Sequence, residues 1–220
     1  MMNVLVFLGS VRDSTPPKPA RLGLRVARAM LQQLGERYPQ CHVGLVDPMD
    51  YELGALFKPH FAYSRSTAPS ELTALAQRIE QADAYVMISP EYNHSMSPAL
   101  AHLLNHFGSS LFSYKPSAIV SYSAGQWGGT RAAVAMRTFL SELGCLPISA
   151  MIHIPKAHEV LSDDGKVTHA AEAKRWADYF GRSFAQLMWW AEATQRQRAL
   201  QDPHQMIQSF KRNPSQRNAP

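Results

Sequence analysis

A chain of 220 residues with 45% hydrophobic and 18% charged residues suits one domain of the larger α/β kind. It carries enough apolar material for a single core, and that excludes global disorder. No apolar run approaches the ~20 residues that span a bilayer. The net charge of +5 does not point to nucleic acid. From Arg196 onward five basic residues (Arg196, Arg198, Lys211, Arg212, Arg217) stand against one acid, Asp202, so the tail carries +4 and the body about +1. No basic–aromatic stripe accompanies them.

The start, MMNVLVFLGS, lacks the basic n-region of a signal peptide. Its stretch 3–8 is a continuous apolar run, the kind buried on both faces of a parallel sheet. A helix follows over 20–38, with Leu22, Val26, Met30, Leu31 and Leu34 on one face. A second strand is expected over 41–47. The stretch 48–69 has no clean period and carries Tyr51, Phe57, His60, Phe61 and Tyr63. It reads as a long loop, and such loops inside compact domains are functional or interfacial. Ser70 is the expected N-cap of a helix over 70–82. A third strand runs over 84–89. Ser97 and Pro98 then open a helix over 97–107 as N-cap and N1. The fourth strand is 117–122, followed by a helix over 130–144 that ends at Gly144. A fifth strand is expected over 146–154. A long final helix occupies 168–199, with apolar positions at Trp176, Phe180, Phe184, Leu187, Met188 and Ala191. These read as core packing, an intersubunit face or a lid. The two cysteines, Cys41 and Cys145, sit beside strands and read as buried, reduced thiols of a cytoplasmic protein.

Five strands alternate with five helices. This predicts a three-layer, doubly wound parallel sheet of order 2-1-3-4-5 over 1–195, with 196–220 as a flexible basic tail. In such sheets the ligand lies outside the carboxyl ends of the strands, where the order reverses between strands 1 and 3. Three loops therefore matter. After strand 1, Gly9 allows a tight turn, Ser10 offers a hydroxyl and Arg12 a cation, beside the N–H groups of the next helix. These suit a phosphate monoester, although alone they also read as a turn beside a solvated arginine. After strand 3, Pro90, Glu91, Tyr92 and Asn93 form a stiff, polar-edged platform rather than a turn. Glu91 points to solvent or meets a cation, since a buried lone carboxylate is costly. His94 reads as a structural histidine. After strand 4, Ser123, Ala124 and Gly125 supply backbone N–H groups, ahead of Gly128 and Gly129. A phosphate site at one end and a platform for a flat heterocycle at the other describe FMN.

The segments GSVR…RLGLRVA, SPEYNHSMSPALAHLLNHF and YSAGQWGGTRAA together resemble the flavodoxin-like NAD(P)H-dependent FMN reductase family, over about residues 2–155. The resemblance implies that Ser10 and Arg12 bind the FMN phosphate. It also implies that Pro90, Glu91, Tyr92 and Asn93 line the isoalloxazine largely through backbone groups, and that Ser123, Ala124, Gly125 and Gln126 contact its other edge. The segment DSTPPKPA departs from the family pattern as an insertion. Either Arg21 and Leu22 keep a phosphate contact or Ser14 and Thr15 replace them, and RLGLRVA favours Arg21. Such a protein takes hydride from NADPH or NADH to FMN and passes electrons to a quinone, flavin or similar acceptor by a ping-pong course, with no catalytic side chain and no metal. It usually forms homodimers or homotetramers. The alternative is a flavodoxin-type electron carrier or FMN-binding regulatory protein with little turnover.

Overall fold

The computed structural model describes residues 1–15, 21–54 and 56–206. Most of the inserted segment after Arg12 (16–20) and the tail beyond 206 lie outside the described residues. The elements in chain order are β1 (Asn3–Leu8), α1 (Leu22–Arg37), β2 (His42–Val46), α2 (Ser70–Gln81), β3 (Ala84–Pro90), α3 (Pro98–Asn105), α4 (Ser109–Phe112), β4 (Pro116–Tyr122), α5 (Thr130–Glu142), β5 (Leu146–Pro147), β6 (Ile152–Ile154), α6 (Ala157–Val160), α7 (Ala170–Leu200) and α8 (Pro203–Met206). The sheet is parallel throughout, in the order β2-β1-β3-β4-β5, with β6 also paired to β4.

The apolar runs divide by the two-residue period of a strand. Val4, Val6 and Leu8 of β1, Val86 and Ile88 of β3, and Val120 of β4 face α1 and α7. Leu5, Phe7, Tyr85, Met87 and Ile119 face α2, α3 and α5 on the other side. The long helix α7 places Phe180, Phe184, Leu187, Met188 and Ala191 in the first of these half-cores, so that stripe is core. Trp189 and Trp190 lie outside it, exposed and edge-to-face at 4.8 Å.

Four expectations need correction. The fifth strand is split: Pro116 and Ser117 pair with Leu146 and Pro147, and Val120 to Tyr122 pair with Ile152 to Ile154. Four residues, 148–151, thus stand opposite Ala118 and Ile119. The ladder holds through the Leu146 and Ile148 N–H groups, which reach the Lys115 and Ser117 carbonyls at 2.9 Å, and then breaks off; the Ala150 N–H donates to the Gln186 side chain at 2.7 Å. Ser70 is not the cap of α2. Pro69 holds the N-cap position with extended ψ of 134°, and its carbonyl accepts the Thr73 N–H. The short helices α4 and α6 were not expected; each is a single turn, too short to show a period. The long loop contains two 3₁₀ turns, Pro48–Asp50 and His60–Ala62, and docks on the end of α3. There the His60 N–H reaches the His106 carbonyl at 2.8 Å, and Phe57 packs its ring edge on His106.

Ser97 and Pro98 open α3 as expected, with the Ser97 hydroxyl accepting from the Ala99 N–H at 3.2 Å. Gly144 takes a left-handed φ of 102° just past α5. The far end of the molecule is tied by Asp83, whose carboxylate accepts from the Asn3 N–H and from Arg198 at 2.8 Å. The expected boundary at 195/196 falls inside α7. Cys41 and Cys145 are free thiols. Among the described residues no helix is long and apolar enough to cross a membrane.

Candidate functional site

β1, β3 and β4 are neighbours, so the loops that leave their carboxyl ends lie side by side. The first leaves β1 at Gly9, whose N–H donates to the Ile88 carbonyl of β3 at 2.7 Å. A side chain has no room there, because a Cβ would stand 2.5 Å from that oxygen. Ser10 follows, buried at 8% exposure. The first turn of α1 presses onto it: a Cβ on Gly23 would lie 2.9 Å from the Ser10 Cβ and 2.4 Å from the Tyr122 hydroxyl. Burial drives the Tyr122 phenol pKa upward, opposed in part by its hydrogen bond with Ser10.

The N-terminus of α1 has no side-chain cap and no acid in its first turn. A helix start carries partial positive charge and N–H groups without intrahelical partners, and among the described residues none accepts from the Leu22 N–H. Among the described residues no acceptor takes the N–H groups of Ser10, Val11 or Arg12 either. The loop and the helix start together form a nest of donors suited to an anion. Arg21, at the N-cap of α1, is only 5% exposed, with its guanidinium on the Asp47 carboxylate and the Ser10 carbonyl. Arg12 is exposed and donates to the Tyr92 hydroxyl at 3.3 Å, bridging the first loop to the second. Thr15 closes a small turn on Asp13.

The second loop begins at Pro90, the last residue of β3. The Ser89 hydroxyl donates to the Pro90 carbonyl and accepts from the Ser97 N–H, so the loop is pinned at both ends. Between them the chain does turn, which corrects the expectation of a platform without one. Tyr92 and Ser95 exchange backbone hydrogen bonds at 3.0 and 2.9 Å, and Asn93 and His94 both take left-handed φ, 48° and 62°. This is the geometry of a two-residue hairpin turn. It presents Tyr92, Asn93 and His94 at the surface.

Glu91 points inward. Its carboxylate, 10% exposed, meets Arg131 at 2.7 Å and accepts from the Ala132 N–H at 3.4 Å. Helix α5 has Gly129 at its N-cap, with no side-chain cap and no acid in its first turn. Glu91 supplies that cap from a loop distant in sequence. Glu91→Gln should therefore lower stability by about 1 kcal/mol. Thermal unfolding checks this, and an unchanged melting temperature would remove Glu91 from that role.

The third loop is closed by Ser123, whose hydroxyl donates to the Gly125 carbonyl at 2.8 Å and accepts from the Gly128 N–H at 2.9 Å. Ala124, Gly125 and Gln126 are exposed, and among the described residues their N–H groups find no acceptor. The segment after β6 braces them. The Lys156 N–H reaches the Gly125 carbonyl at 2.9 Å and the Ala157 N–H the Ser123 carbonyl at 3.0 Å. Below, the Ser121 hydroxyl donates to the Gly128 carbonyl and so accepts from His153 Nδ1–H at 2.8 Å. Burial lowers the His153 pKa, which favours the neutral ring.

The structure thus brings Ser10, Leu22 and Arg21 together at the first loop and Pro90 to Asn93 at the second, with Ser123 to Gln126 at the third. Sequence reasoning missed Asp47, Tyr122, His153 and Lys156. Tyr122 had a signal, a hydroxyl at the carboxyl end of its strand next to Ser121. Lys156 shows only in its left-handed φ of 45°.

A doubly wound sheet with a donor nest and a polar-edged platform at its switch point defines a nucleotide- or flavin-binding α/β protein. The sequence pattern of the NADPH-dependent FMN reductase family matches residues 2–159, and the chain belongs to that family. It is 35% identical over 74 residues to the NADH:(hydroxy)cinnamate reductase subunit CrdA of Vibrio ruber, covering 33% of this chain and 37% of that one. It is 33% identical over 84 residues to an NAD(P)H-dependent FMN reductase of Pseudomonas aeruginosa, covering 37% and 45%. The matches therefore span less than half the length of these relatives. In structure it is similar to FerB, a flavoenzyme NAD(P)H:(acceptor) oxidoreductase of Paracoccus denitrificans, with a TM-score of 0.65 and 22% identity over 86% of this chain and 98% of that one. This last likeness concerns the fold.

Proposed function

We propose that the protein is an FMN-dependent oxidoreductase that takes hydride from NADPH or NADH and reduces a quinone, flavin or similar small acceptor by a ping-pong course. The uncapped start of α1 against Ser10, at the carboxyl end of β1, carries this reading. It matches a phosphate in charge, donor count and position at the switch point. Bound FMN would supply the hydride and electron chemistry. The protein's share is binding and orientation. Ser10, the N–H groups of Val11 and Leu22, and Arg12 hold the phosphate. The backbone of Pro90 to Asn93 lines one edge of the ring. The N–H groups of Ala124, Gly125 and Gln126 aim at its other edge, where negative charge on the ring is stabilised by fixed dipoles. No acid–base pair is needed among these side chains.

The same proposal includes a homodimer or dimer of dimers, and the exposed Leu56, Phe57 and Phe61 beside α3 supply an apolar face for it. Light scattering that finds a monomer at micromolar concentration would remove this part. The activity is tested by the absorbance spectrum of the purified protein with added FMN, before and after anaerobic NADPH or NADH. A flavin band near ~450 nm that is retained through gel filtration and then bleaches is the expected result. No retained band would overturn the reading. Parallel double-reciprocal lines are expected with a quinone acceptor, and intersecting lines would exclude the ping-pong course.

A further inference from the structure

Asp47 lies just past β2, an edge strand that contributes no loop to the expected site. Its side chain is nonetheless 13% exposed and fully engaged. It receives both terminal nitrogens of Arg21, with Nη1 to Oδ1 at 3.1 Å, and the Met49 N–H at 3.0 Å. The same Arg21 Nη1 donates to the Ser10 carbonyl at 2.6 Å. We propose that Asp47 is the positioning residue of the anion loop. It holds the Arg21 guanidinium in place, and Arg21 in turn draws back the Ser10 carbonyl.

The consequence follows from the planar trans peptide, in which C=O and N–H of one unit point in opposite directions. With the Ser10 oxygen fixed on Arg21, the Val11 N–H is turned away from Arg21. It then joins the other free donors of the loop. If that peptide flipped, its carbonyl oxygen would face the anion and repel it. The pairing also decides how charge is used. Asp47 balances Arg21, so the buried guanidinium adds no net positive charge. The anion is then read by backbone dipoles and by the exposed Arg12. Arg21, expected from the sequence as a direct ligand, becomes a brace. Losing Asp47 frees the brace, and the loop loses its preference for a phosphorylated ligand.

This inference rests on the FMN reading, and the experiment separates the two. Dissociation constants for FMN and for riboflavin are measured by quenching of flavin fluorescence with the wild type, Asp47→Asn and Arg21→Lys. Asparagine keeps the shape and the acceptor for Met49, and lysine keeps the charge but not the fork. Both variants should bind FMN roughly tenfold more weakly, the usual size for losing a partner that orients a binding group. Riboflavin, which lacks the phosphate, should bind within about twofold of wild type in both. Equal weakening for both flavins would reduce Asp47 to a structural contact and overturn the inference, as would unchanged FMN affinity. Should Asp47→Asn fail to fold, Arg21→Lys decides alone. A wild type that binds neither flavin overturns the FMN reading and the inference with it. A wild type that binds FMN, with variants that bind it equally tightly, overturns the inference alone.

Discussion

Gly9→Ala should both destabilise the protein and cost it FMN. The new Cβ would sit 2.5 Å from the Ile88 carbonyl and 3.0 Å from the Leu100 Cβ. The first obstacle is the backbone of β3 and the second belongs to a leucine with no exposed surface. Neither is the free end of a flexible side chain, so β1 must move away from β3 at the point where their register ends, Leu8 opposite Ile88. That movement also stretches the 2.7 Å bond from the Gly9 N–H to the Ile88 carbonyl. Overpacking costs about 1–3 kcal/mol and the hydrogen bond about 1. A loss of about 3 kcal/mol corresponds to a melting temperature lower by roughly 6–12 °C. Ser10 moves with Gly9, and a displacement of ~1 Å in a binding loop is worth roughly a hundredfold in function. FMN affinity should fall by that order. Gly35→Ala is the control: it lies in α1, exposed, with nothing near a new Cβ. It should raise stability by about 0.5–1 kcal/mol, because alanine outranks glycine within helices. Thermal unfolding and flavin titration of the two variants check both statements. Wild-type FMN affinity in Gly9→Ala would show that the tight exit of β1 does not shape the site.

Asp83→Ala should be the most damaging single change away from the site, at about 2–4 kcal/mol. Asp83 is 8% exposed and accepts from Asn3 at the head of β1 and from Arg198 near the end of α7. Its removal leaves Arg198 without its carboxylate and the Asn3 N–H without an acceptor. Breaking one side of a buried ion pair costs 3–5 kcal/mol, and the figure here is lower because Arg198 reaches solvent in part. Lys115 makes the effect depend on pH. The residue is 6% exposed, and its amine donates to the carbonyls of Ile79, Glu80 and Leu111 at 2.7–2.9 Å. Burial pushes its pKa down to about 8, with Arg198 adding to the fall and Asp83 opposing it.

A lysine with a lowered folded pKa opposes folding while it is charged. That cost is complete below about pH 8 and fades as pH rises toward the ordinary lysine range near ~10.4. Asp83 offsets part of the cost only while Lys115 is charged. The destabilisation by Asp83→Ala should therefore be larger at pH 7 than at pH 9.5, measured by urea unfolding at both. A constant difference would mean that Lys115 does not titrate in this window. Truncation makes the same point about α7. Ending the chain after Gln195 removes Arg198 and should cost about 2 kcal/mol more than ending it after Leu200, which keeps Arg198.

The parallel sheet was readable because NVLVFL, AYVMIS and SAIVSY are apolar at consecutive positions. A strand carries such runs only when both its faces are covered. The helices between them then require right-handed crossovers, and 2-1-3-4-5 is the economical order that covers both faces. The same logic located the three loops, since polar and glycine-rich residues cluster where those runs end. Tertiary structure alone decided which partner each polar side chain takes. Arg21 meets Asp47, Glu91 meets Arg131 and caps α5, Tyr122 meets Ser10, and Lys156 braces Gly125. The split of the edge strand belongs here too, because the Ala150 N–H within it meets Gln186 of α7. The physical reason is one of range. Burial imposes a period on neighbouring residues, and a period is legible in one dimension. A hydrogen bond or ion pair joins single atoms from distant segments, and only the folded chain brings those atoms together.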